Sequence, residues 1–420
     1  MRGGSASNSV GTRASVLLVG LLVVVIAALV EASLPAVRYS EGADEGHYLS
    51  YARTLATGGP AGLAQATRDY LVAPDAGIFP PPTRVGYLLP AALALRIFGD
   101  GFNALSQLSL GAHLLLILAS FAFARRRIGS WPALGVATLL GCSPLLLGLA
   151  RRALADSVVT LLLAIALWTW LEILRPTAGR PRRNGWLLAF VVAFAGAVLA
   201  KESSVLFLVP LGLVALVRNL TAPRPIPWLR LAVAVVAPLI AAAAIWTALA
   251  GSPSGVFRLA EVTLGGPAHN LYAADFGSGP WTRYLVDFLL LSPWTLLLAL
   301  AGAGTLALRR VPDDPQRALA RDCLLFAAGA LAIFAPLTKN VRYLALLELP
   351  IAVLALWFLS ELARHLRERR LRLAAVLAAM AILGLALGGL WTADALFVKA
   401  GIYDPVTFNL LRAREMVPGR

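Results

Sequence analysis

Long apolar runs recur along nearly the whole chain, and they limit the possible folds more than any other feature of the sequence. The runs lie at 15–37, 102–124, 131–149, 157–174, 186–200, 204–217, 229–250, 285–308, 322–337, 342–360 and 373–392. Only 14% of the residues are charged, whereas soluble domains contain about 25%. Runs of this length predict membrane-spanning helices. We therefore expect an all-α polytopic membrane protein with about 11 transmembrane helices.

Clusters of arginine between the apolar runs predict which side of the membrane each loop faces. A twelfth run, 84–98, is short and contains Arg84, Pro90 and Arg96. If it does not cross, all the clusters share the side of the N-terminus, which the positive-inside rule makes cytoplasmic. These clusters lie at 125–127, 175–183, 218–230, 309–321 and 364–372. We therefore interpret 84–98 as a juxtamembrane or re-entrant helix of a plasma (inner) membrane protein whose C-terminus is outside.

This topology divides the chain into three parts. Residues 1–14 are polar and predict a disordered cytoplasmic N-terminus, and 15–392 form the multi-span domain with a long first outer loop at 38–101. Residues 393–420 form a short outer tail. The first apolar run can also be a cleaved signal peptide, but we favour an uncleaved span because many spans follow.

The net charge of +15 does not indicate nucleic-acid binding. It comes from arginines between the spans, and no basic patch is interleaved with aromatic residues. No Asp-x-Asp motif or Gly-rich nucleotide-binding loop occurs on the cytoplasmic side. An enzyme that uses sugar nucleotides is therefore disfavoured.

Two adjacent carboxylates, Asp44 and Glu45, follow the first span. Burial of ionised carboxylates is costly, so this pair is expected to face water, a metal or a polar substrate. Asp44 can also act only as the N-cap of a helix that begins at Glu45. On that helix, His47, Tyr48 and Tyr51 share the face of Asp44. Tyrosines at this depth are often only interface anchors.

Further charged and aromatic residues are predicted at the same outer face. A single cation there snorkels to the surface by default, and an Asp at the start of a span can be only an N-cap. Several cations that meet several carboxylates indicate a binding site instead. The candidates are Arg84, Tyr87, Arg152, Asp156, Lys201, Glu202, Arg342 and Tyr343.

These residue types suit an anionic lipid head group. Cations at the membrane boundary can hold a phosphate by charge-assisted hydrogen bonds. A carboxylate can take a proton from an attacking hydroxyl. Transfer of a sugar from a lipid phosphate needs both functions. One catalytic carboxylate suffices for it, whereas glycoside hydrolysis usually needs two.

In sequence order, these motifs resemble those of the GT-C superfamily of membrane glycosyltransferases, in the branch of protein O-mannosyltransferases and lipid A aminoarabinose transferases. The resemblance covers nearly the whole chain. The segments that carry it are Asp44-Glu45-Gly46-His47-Tyr48, Pro81-Pro82-Thr83-Arg84-Val85-Gly86-Tyr87, Ala150-Arg151-Arg152-Ala153-Leu154-Ala155-Asp156, Leu199-Ala200-Lys201-Glu202 and Arg342-Tyr343-Leu344.

The resemblance implies a sugar donor linked to polyprenyl phosphate, an inverting transfer and an active site at the outer face. It implies that Asp44 is a general base or positions the acceptor, with support from Asp156, and that Lys201 and Arg342 contact the phosphate. Pro82 stands where the aminoarabinose transferases carry Lys, and Arg84 is the candidate to replace that Lys. The predicted catalytic residues are Asp44, Glu45 and Asp156. The predicted substrate-binding residues are His47, Tyr48, Arg84, Tyr87, Arg152, Lys201, Glu202, Arg342 and Tyr343.

Two other functions compete with this prediction, and the sugar and the acceptor (lipid, glycan or protein) stay open. A transporter or flippase of lipid-linked sugars would also need many spans and a polar cavity, although no internal repeat supports it. A non-catalytic envelope scaffold leaves the outer charges unexplained. Asp44, Glu45 and Asp156 could also gather Mg²⁺ or Mn²⁺ as hard oxygen ligands.

Overall fold

The computed structural model describes residues 4–72, 80–175, 180–221, 225–265, 277–308, 314–368 and 373–417, and this part of the chain is helical without any strand. The first helices are α1 (Gly4–Ser33), α2 (Asp44–Val72), α3 (Val85–Phe98), α4 (Phe102–Ile128), α5 (Ser130–Gly141) and α6 (Pro144–Ala150). Next come α7 (Asp156–Ile173), α8 (Arg180–Ala200), α9 (Leu208–Thr221), α10 (Trp228–Ala250) and α11 (Pro253–Gly265). The last are α12 (Thr282–Leu291), α13 (Pro293–Leu308), α14 (Pro315–Phe334), α15 (Glu348–Glu368), α16 (Ala374–Ala393) and α17 (Thr407–Ala413).

Tighter and wider helical turns connect some of these elements. 3₁₀ turns lie at Leu34–Ala36, Glu202–Phe207 and Val341–Leu347, and a π-turn lies at Asp394–Lys399. The last two 3₁₀ turns lead directly into α9 and α15. They therefore form the first part of the corresponding spans.

Eight helices in the described part of the chain are long and apolar enough to cross a membrane, or nine if the bent pair α5–α6 counts as one span. They coincide with nine of the predicted runs. The remaining runs, 285–308 and 322–337, do not form helices that are long and apolar enough by the same criteria. The first is broken at Ser292, between α12 and α13, and the second lies in α14 with Arg321 and Asp322. The count of about 11 is therefore not confirmed, while the all-α membrane architecture is.

The N-terminal segment differs from its prediction. Residues 1–14 were expected to be disordered, but α1 already begins at Gly4. The polar start contains no proline, and an apolar helix that has formed extends easily by one residue at a time. Residues 1–3 lie outside the described part of the chain.

Two helices, α2 and α3, lie between the first span and α4. In α2, the helix bends at Gly59, whose φ of 60° is left-handed and which precedes Pro60. α3 has 14 residues and is about 21 Å long, too short for a hydrocarbon layer of about 30 Å. The N-terminal end of α3 lies near Glu202, which binds Arg84. Its C-terminal end leads to Phe102, whose ring stacks on that of Tyr39 with centres 5.0 Å apart. Both ends therefore lie at one end of the bundle, and α3 does not cross.

The core lies around α7 and α15. These two spans are buried over most of their length, whereas α1 and α16 are largely exposed. The exposed side chains of α1 are apolar, for example Leu17, Leu21 and Val24. Such a surface is unfavourable in water and suits the lipid interior. The fold therefore surrounds two buried helices with helices that face lipid.

Candidate active site

Four predicted site residues meet at one end of the helix bundle. Asp44 is the first residue of α2, and Asp156 is the first residue of α7. Lys201 follows the last residue of α8, and Arg342 lies in the 3₁₀ turn before α15. Each position is the end of an element, so charged side chains project together without entering the apolar layer.

Arg342 lies at the centre of this group. Its Nη1 atom is 3.8 Å from Asp44 Oδ2 and 3.8 Å from Asp156 Oδ2. Within the described part of the chain, Nη1 has no hydrogen-bond partner, although the side chain is only 8% exposed. A buried guanidinium donor without an acceptor is costly. The geometry therefore leaves a hydrogen-bond donor directed between two carboxylates.

Lys201 is the second cation of the group. Its Nζ atom donates to Asp156 Oδ1 at 2.7 Å and lies 4.4 Å from the centre of the Tyr343 ring. Burial lowers the pKa of Lys201, and the charges of Arg342 and Arg84 lower it further, while Asp156 opposes the change. Lys201 is thus a desolvated cation held in place by one carboxylate.

A small cavity adjoins both cations. Its charged end is formed by Asp156, Lys201 and Arg342, and Tyr343, Ser203 and Ser204 also line it. Its other walls are mostly apolar, with Val159, Leu163, Phe207 and Leu346. The cavity has a volume of about 10 Å³, which is room for roughly one water molecule, and both cations and apolar side chains line it.

Glu45 forms a separate, closed ion pair. Its two oxygens accept hydrogen bonds from Arg152 at 2.9 and 2.7 Å, and the backbone N–H groups of Ala153 and Ser40 donate at 3.1 and 3.0 Å. The Glu45 side chain is completely buried. These bonds fasten the start of α2 to the segment before α7.

Arg84 forms a second closed pair. It donates to both oxygens of Glu202 at 2.9 to 3.2 Å and to the hydroxyl of Tyr48 at 2.5 Å. Tyr48 in turn meets the edge of the Tyr87 ring at 4.8 Å. Burial raises the pKa of the Tyr48 hydroxyl, so it stays a neutral hydrogen-bonding group.

The chain is similar to known proteins in both sequence and structure. Residues 82–246 match the family of dolichyl-phosphate-mannose-protein mannosyltransferases. Among solved structures, ArnT from Cupriavidus metallidurans bound to undecaprenyl phosphate is similar with a TM-score of 0.63 and 20% identity, over 91% of this chain and 70% of that chain. AglB from Archaeoglobus fulgidus, in complex with an inhibitory peptide and a dolichol-phosphate, has a TM-score of 0.57 and 13% identity, over 90% of this chain and 55% of that chain.

These findings support a GT-C membrane glycosyltransferase. The fold class predicted from the sequence is thereby confirmed, and the family match over part of the chain agrees with the predicted enzyme class. Comparison of the chain with curated protein sequences gives no significant match.

The structure divides the predicted site residues into two sets. Asp44, Asp156, Lys201, Arg342 and Tyr343 lie together. Most of the others pack around them in closed contacts, because their polar atoms bind one another; these are Glu45, Tyr48, Arg84, Arg152 and Glu202. The Tyr87 ring packs against Tyr48, and its buried hydroxyl has no hydrogen-bond partner within the described residues. His47 is half-buried and stacks against Tyr51 with ring centres 6.2 Å apart. The prediction that Glu45 is catalytic does not fit its buried pairing with Arg152.

The site also contains residues that the sequence did not predict. Asp404 Oδ1 forms an ion pair with Arg342 Nε at 3.0 Å and accepts a hydrogen bond from Asn340 Nδ2 at 2.8 Å. The Tyr403 ring lies under the Arg152 guanidinium at 4.4 Å. Both residues belong to the tail after the last span, where no apolar pattern or motif indicates a contact with the bundle.

The predicted carboxylates do not fit a Mg²⁺ or Mn²⁺ site. No group of three His, Cys, Asp or Glu side chains within the described residues is arranged to hold a metal ion. Glu45 binds Arg152, and Asp156 binds Lys201. A divalent cation would have to displace these internal cations, so we derive no step through a metal.

Proposed function

We propose that this glycosyltransferase moves a sugar from a polyprenyl-phosphate donor to an envelope acceptor at the outer face of the plasma (inner) membrane. The observation that carries the proposal is the unpaired Nη1 donor of Arg342 beside Lys201, at the charged end of a cavity with apolar walls. A phosphate that binds beside these two cations can accept charge-assisted hydrogen bonds. The apolar walls suit the first part of the lipid chain. The similar ArnT structure contains undecaprenyl phosphate, which supports this class of donor.

Asp44 is the proposed base. Its side chain is 33% exposed, whereas that of Asp156 is 6% exposed and holds Lys201 at 2.7 Å. A base has to reach a hydroxyl that arrives from outside, and of these two carboxylates Asp44 is the accessible one.

In the proposed step, the acceptor hydroxyl gives its proton to Asp44 and its oxygen bonds to the anomeric carbon. The bond between that carbon and the phosphate oxygen breaks, and its electron pair leaves with the phosphate. Arg342 and Lys201 stabilise the negative charge that grows there. A single displacement of this kind inverts the anomeric centre, and it needs one carboxylate.

The donor site is tested by titration of polyprenyl phosphate against purified protein in detergent. Lys201→Ala and Arg342→Ala each remove a charge-assisted hydrogen bond of roughly 1.5–3 kcal/mol, so affinity should fall roughly tenfold or more. Arg342→Lys should recover only part of the loss, because Lys cannot donate from two edges. Lys399→Ala, which removes an exposed cation paired with Asp394, is the control.

Two ligands and one activity assay separate the outcomes. Polyprenol, which lacks the phosphate, should bind weakly to every variant. Unchanged phosphate affinity in both Ala variants would place the donor elsewhere. Wild-type protein should also transfer or release sugar from polyprenyl-phosphate sugar in detergent, which a flippase would not do.

A further inference from the structure

The tail after the last span returns to the site. Beyond α16 and the π-turn at Asp394–Lys399, the chain continues without regular structure to α17. Along this stretch, the side chain of Asp404 is only 5% exposed. A carboxylate is buried in this way only when charges and hydrogen bonds compensate for the loss of water.

Asn340 and Arg342 supply that compensation. Asn340 Nδ2 donates to both oxygens of Asp404, at 2.8 and 3.1 Å, and Arg342 Nε lies 3.0 Å from Asp404 Oδ1. The Asn340 side chain also accepts from the backbone N–H of Arg342 at 3.0 Å. Asp404 is therefore joined to the Arg342 side chain directly and to its backbone through Asn340.

The two edges of the guanidinium face different carboxylates. Nε forms an ion pair with Asp404 at 3.0 Å, while Nη1 lies between Asp44 and Asp156, and neither nitrogen has a hydrogen-bond partner in the described part of the chain. The two carboxylates lie 3.8 Å away, slightly beyond hydrogen-bond distance. A small rotation of an unanchored Arg342 would pair it with either of them and withdraw the donor.

We propose that Asp404 is a positioning residue of the donor site, which holds Arg342 so that its Nη1 stays available to the lipid phosphate. Asp404 has this role only if the phosphate binds where the proposed function places it.

Other tail contacts show how Asp404 is kept in place. Asn409 Nδ2 donates to the Asp404 carbonyl at 2.8 Å, and Arg414 Nη2 donates to the Leu290 carbonyl at 2.7 Å. The neighbouring Tyr403 ring lies 4.4 Å from the Arg152 guanidinium. The Arg414 contact anchors the tail without contacting Arg342. Substitution of Arg414 therefore tests tail docking separately from the contact between Asp404 and Arg342.

The test compares Asp404→Asn with Asp404→Ala. Asn keeps an oxygen beside Arg342 Nε but removes the charge that competes with phosphate. Ala removes the whole carboxylate, so Arg342 is free to pair with Asp44 or Asp156. Polyprenyl phosphate should therefore bind to Asp404→Asn as well as to wild type or more tightly, and to Asp404→Ala roughly tenfold more weakly. Asp404→Leu also removes the carboxylate while filling the space that Ala would leave, and serves the same purpose if the Ala variant does not fold.

The outcomes are distinct. Equal affinity in wild type and all variants overturns the inference. Tighter binding in both Asp404→Asn and Asp404→Ala also overturns it, because Asp404 would then act only as a charge that competes with phosphate. If wild type binds polyprenyl phosphate no better than polyprenol, the proposed function fails instead.

A double-variant experiment tests whether Asp404 acts through Arg342. In an Arg342→Ala background, Asp404→Ala should cause no further loss of phosphate affinity, since the residue it positions is gone. Arg414→Ala, the control for tail docking, should lower thermal stability but not phosphate affinity. Additive losses in the double variant would show that Asp404 only supports the fold.

Discussion

Charged residues at this end of the bundle follow two arrangements. Glu45 with Arg152, and Glu202 with Arg84, are closed pairs in which several atoms of each partner are engaged. Arg342, in contrast, stands among carboxylates, and its Nε and Nη1 have no hydrogen-bond partner in the described part of the chain. Closed pairs fix backbone segments relative to each other, and an incompletely paired cation can accept a ligand. Different substitutions should therefore affect stability and activity separately.

Asp44→Asn tests the catalytic side of this division. An amide cannot accept the proton, so turnover should fall by roughly 10²- to 10⁴-fold. Because Asp44 is partly exposed, the variant should keep its thermal stability and its affinity for polyprenyl phosphate. Transfer rates of the purified variant are compared with those of Asp100→Asn, which alters an exposed pair with Arg53. Near-normal turnover would remove Asp44 from the mechanism.

Glu45→Gln tests the structural side. It leaves Arg152 buried without its opposite charge, and loss of one partner of a buried pair usually costs about 3–5 kcal/mol. We expect a clear drop in the midpoint of thermal unfolding, while turnover per folded molecule falls much less than in Asp44→Asn. Glu261→Gln, in an exposed pair with Arg258, is the matched control. A variant as stable as wild type but inactive would return Glu45 to the catalytic set.

The sequence is sufficient to predict some of these residues and not others. Asp156, Lys201 and Arg342 each lie at an end of an apolar run, and parity alone places such ends on one side of a membrane. Whether a cation is fully paired with a carboxylate depends on side-chain geometry, and the pattern of apolar runs contains no information about that geometry. Asp404 was not predicted because its place depends on how the tail folds back on the bundle.

At the scale of elements, the close approach of α3 and α8 sets the position of Arg84. A Cβ atom on Gly86 would lie 2.2 Å from the Gly196 carbonyl oxygen and 2.7 Å from the Ala200 nitrogen. These are backbone atoms, which cannot move independently of α8. Glycine at this position thus permits the contact that brings Arg84 to Glu202 and keeps the end of α8 beside the site.

Gly86→Ala should therefore separate the two helices. Overpacking of this kind costs about 1–3 kcal/mol, so we expect a lower midpoint of thermal unfolding and a reduced transfer rate. Gly111→Ala is the control, because a Cβ atom there meets nothing within 4 Å. If both variants unfold at the wild-type temperature, α3 does not depend on this contact.

The apolar pattern predicted the elements better than their interruptions. The run 84–98 was correctly separated from the spans, because its arginines and its length oppose a crossing. The bend of 59° between α5 and α6 was not predicted. It arises where Ser143 caps α6 and Pro144 begins it, and a proline cannot continue the hydrogen bonding of the preceding helix.

At the scale of the whole molecule, one end of the bundle contains the site, and its orientation in the membrane is the next question. Eight or nine helices of the described chain meet the requirements of a span. Because successive spans run in opposite directions, the order of α1 and α4 to α8 already places the site and the arginine clusters at opposite ends of the bundle. Asp44 follows α1, while Arg125 to Arg127 lie at the far end of α4. These arginines predict that the far end is cytoplasmic.

Labelling of single cysteines from either side of the membrane tests this orientation. Ala43→Cys lies next to Asp44, and Gly129→Cys lies in the exposed link between α4 and α5. A membrane-impermeant maleimide should label Ala43→Cys in intact cells and Gly129→Cys only after the membrane is opened. The native Cys142 and Cys323 are both buried, so the unsubstituted protein is a suitable control and should label weakly. Labelling of both positions from one side would contradict the parity of α4, and the reverse pattern would place the site at the cytoplasmic face, where the positive-inside rule does not predict it.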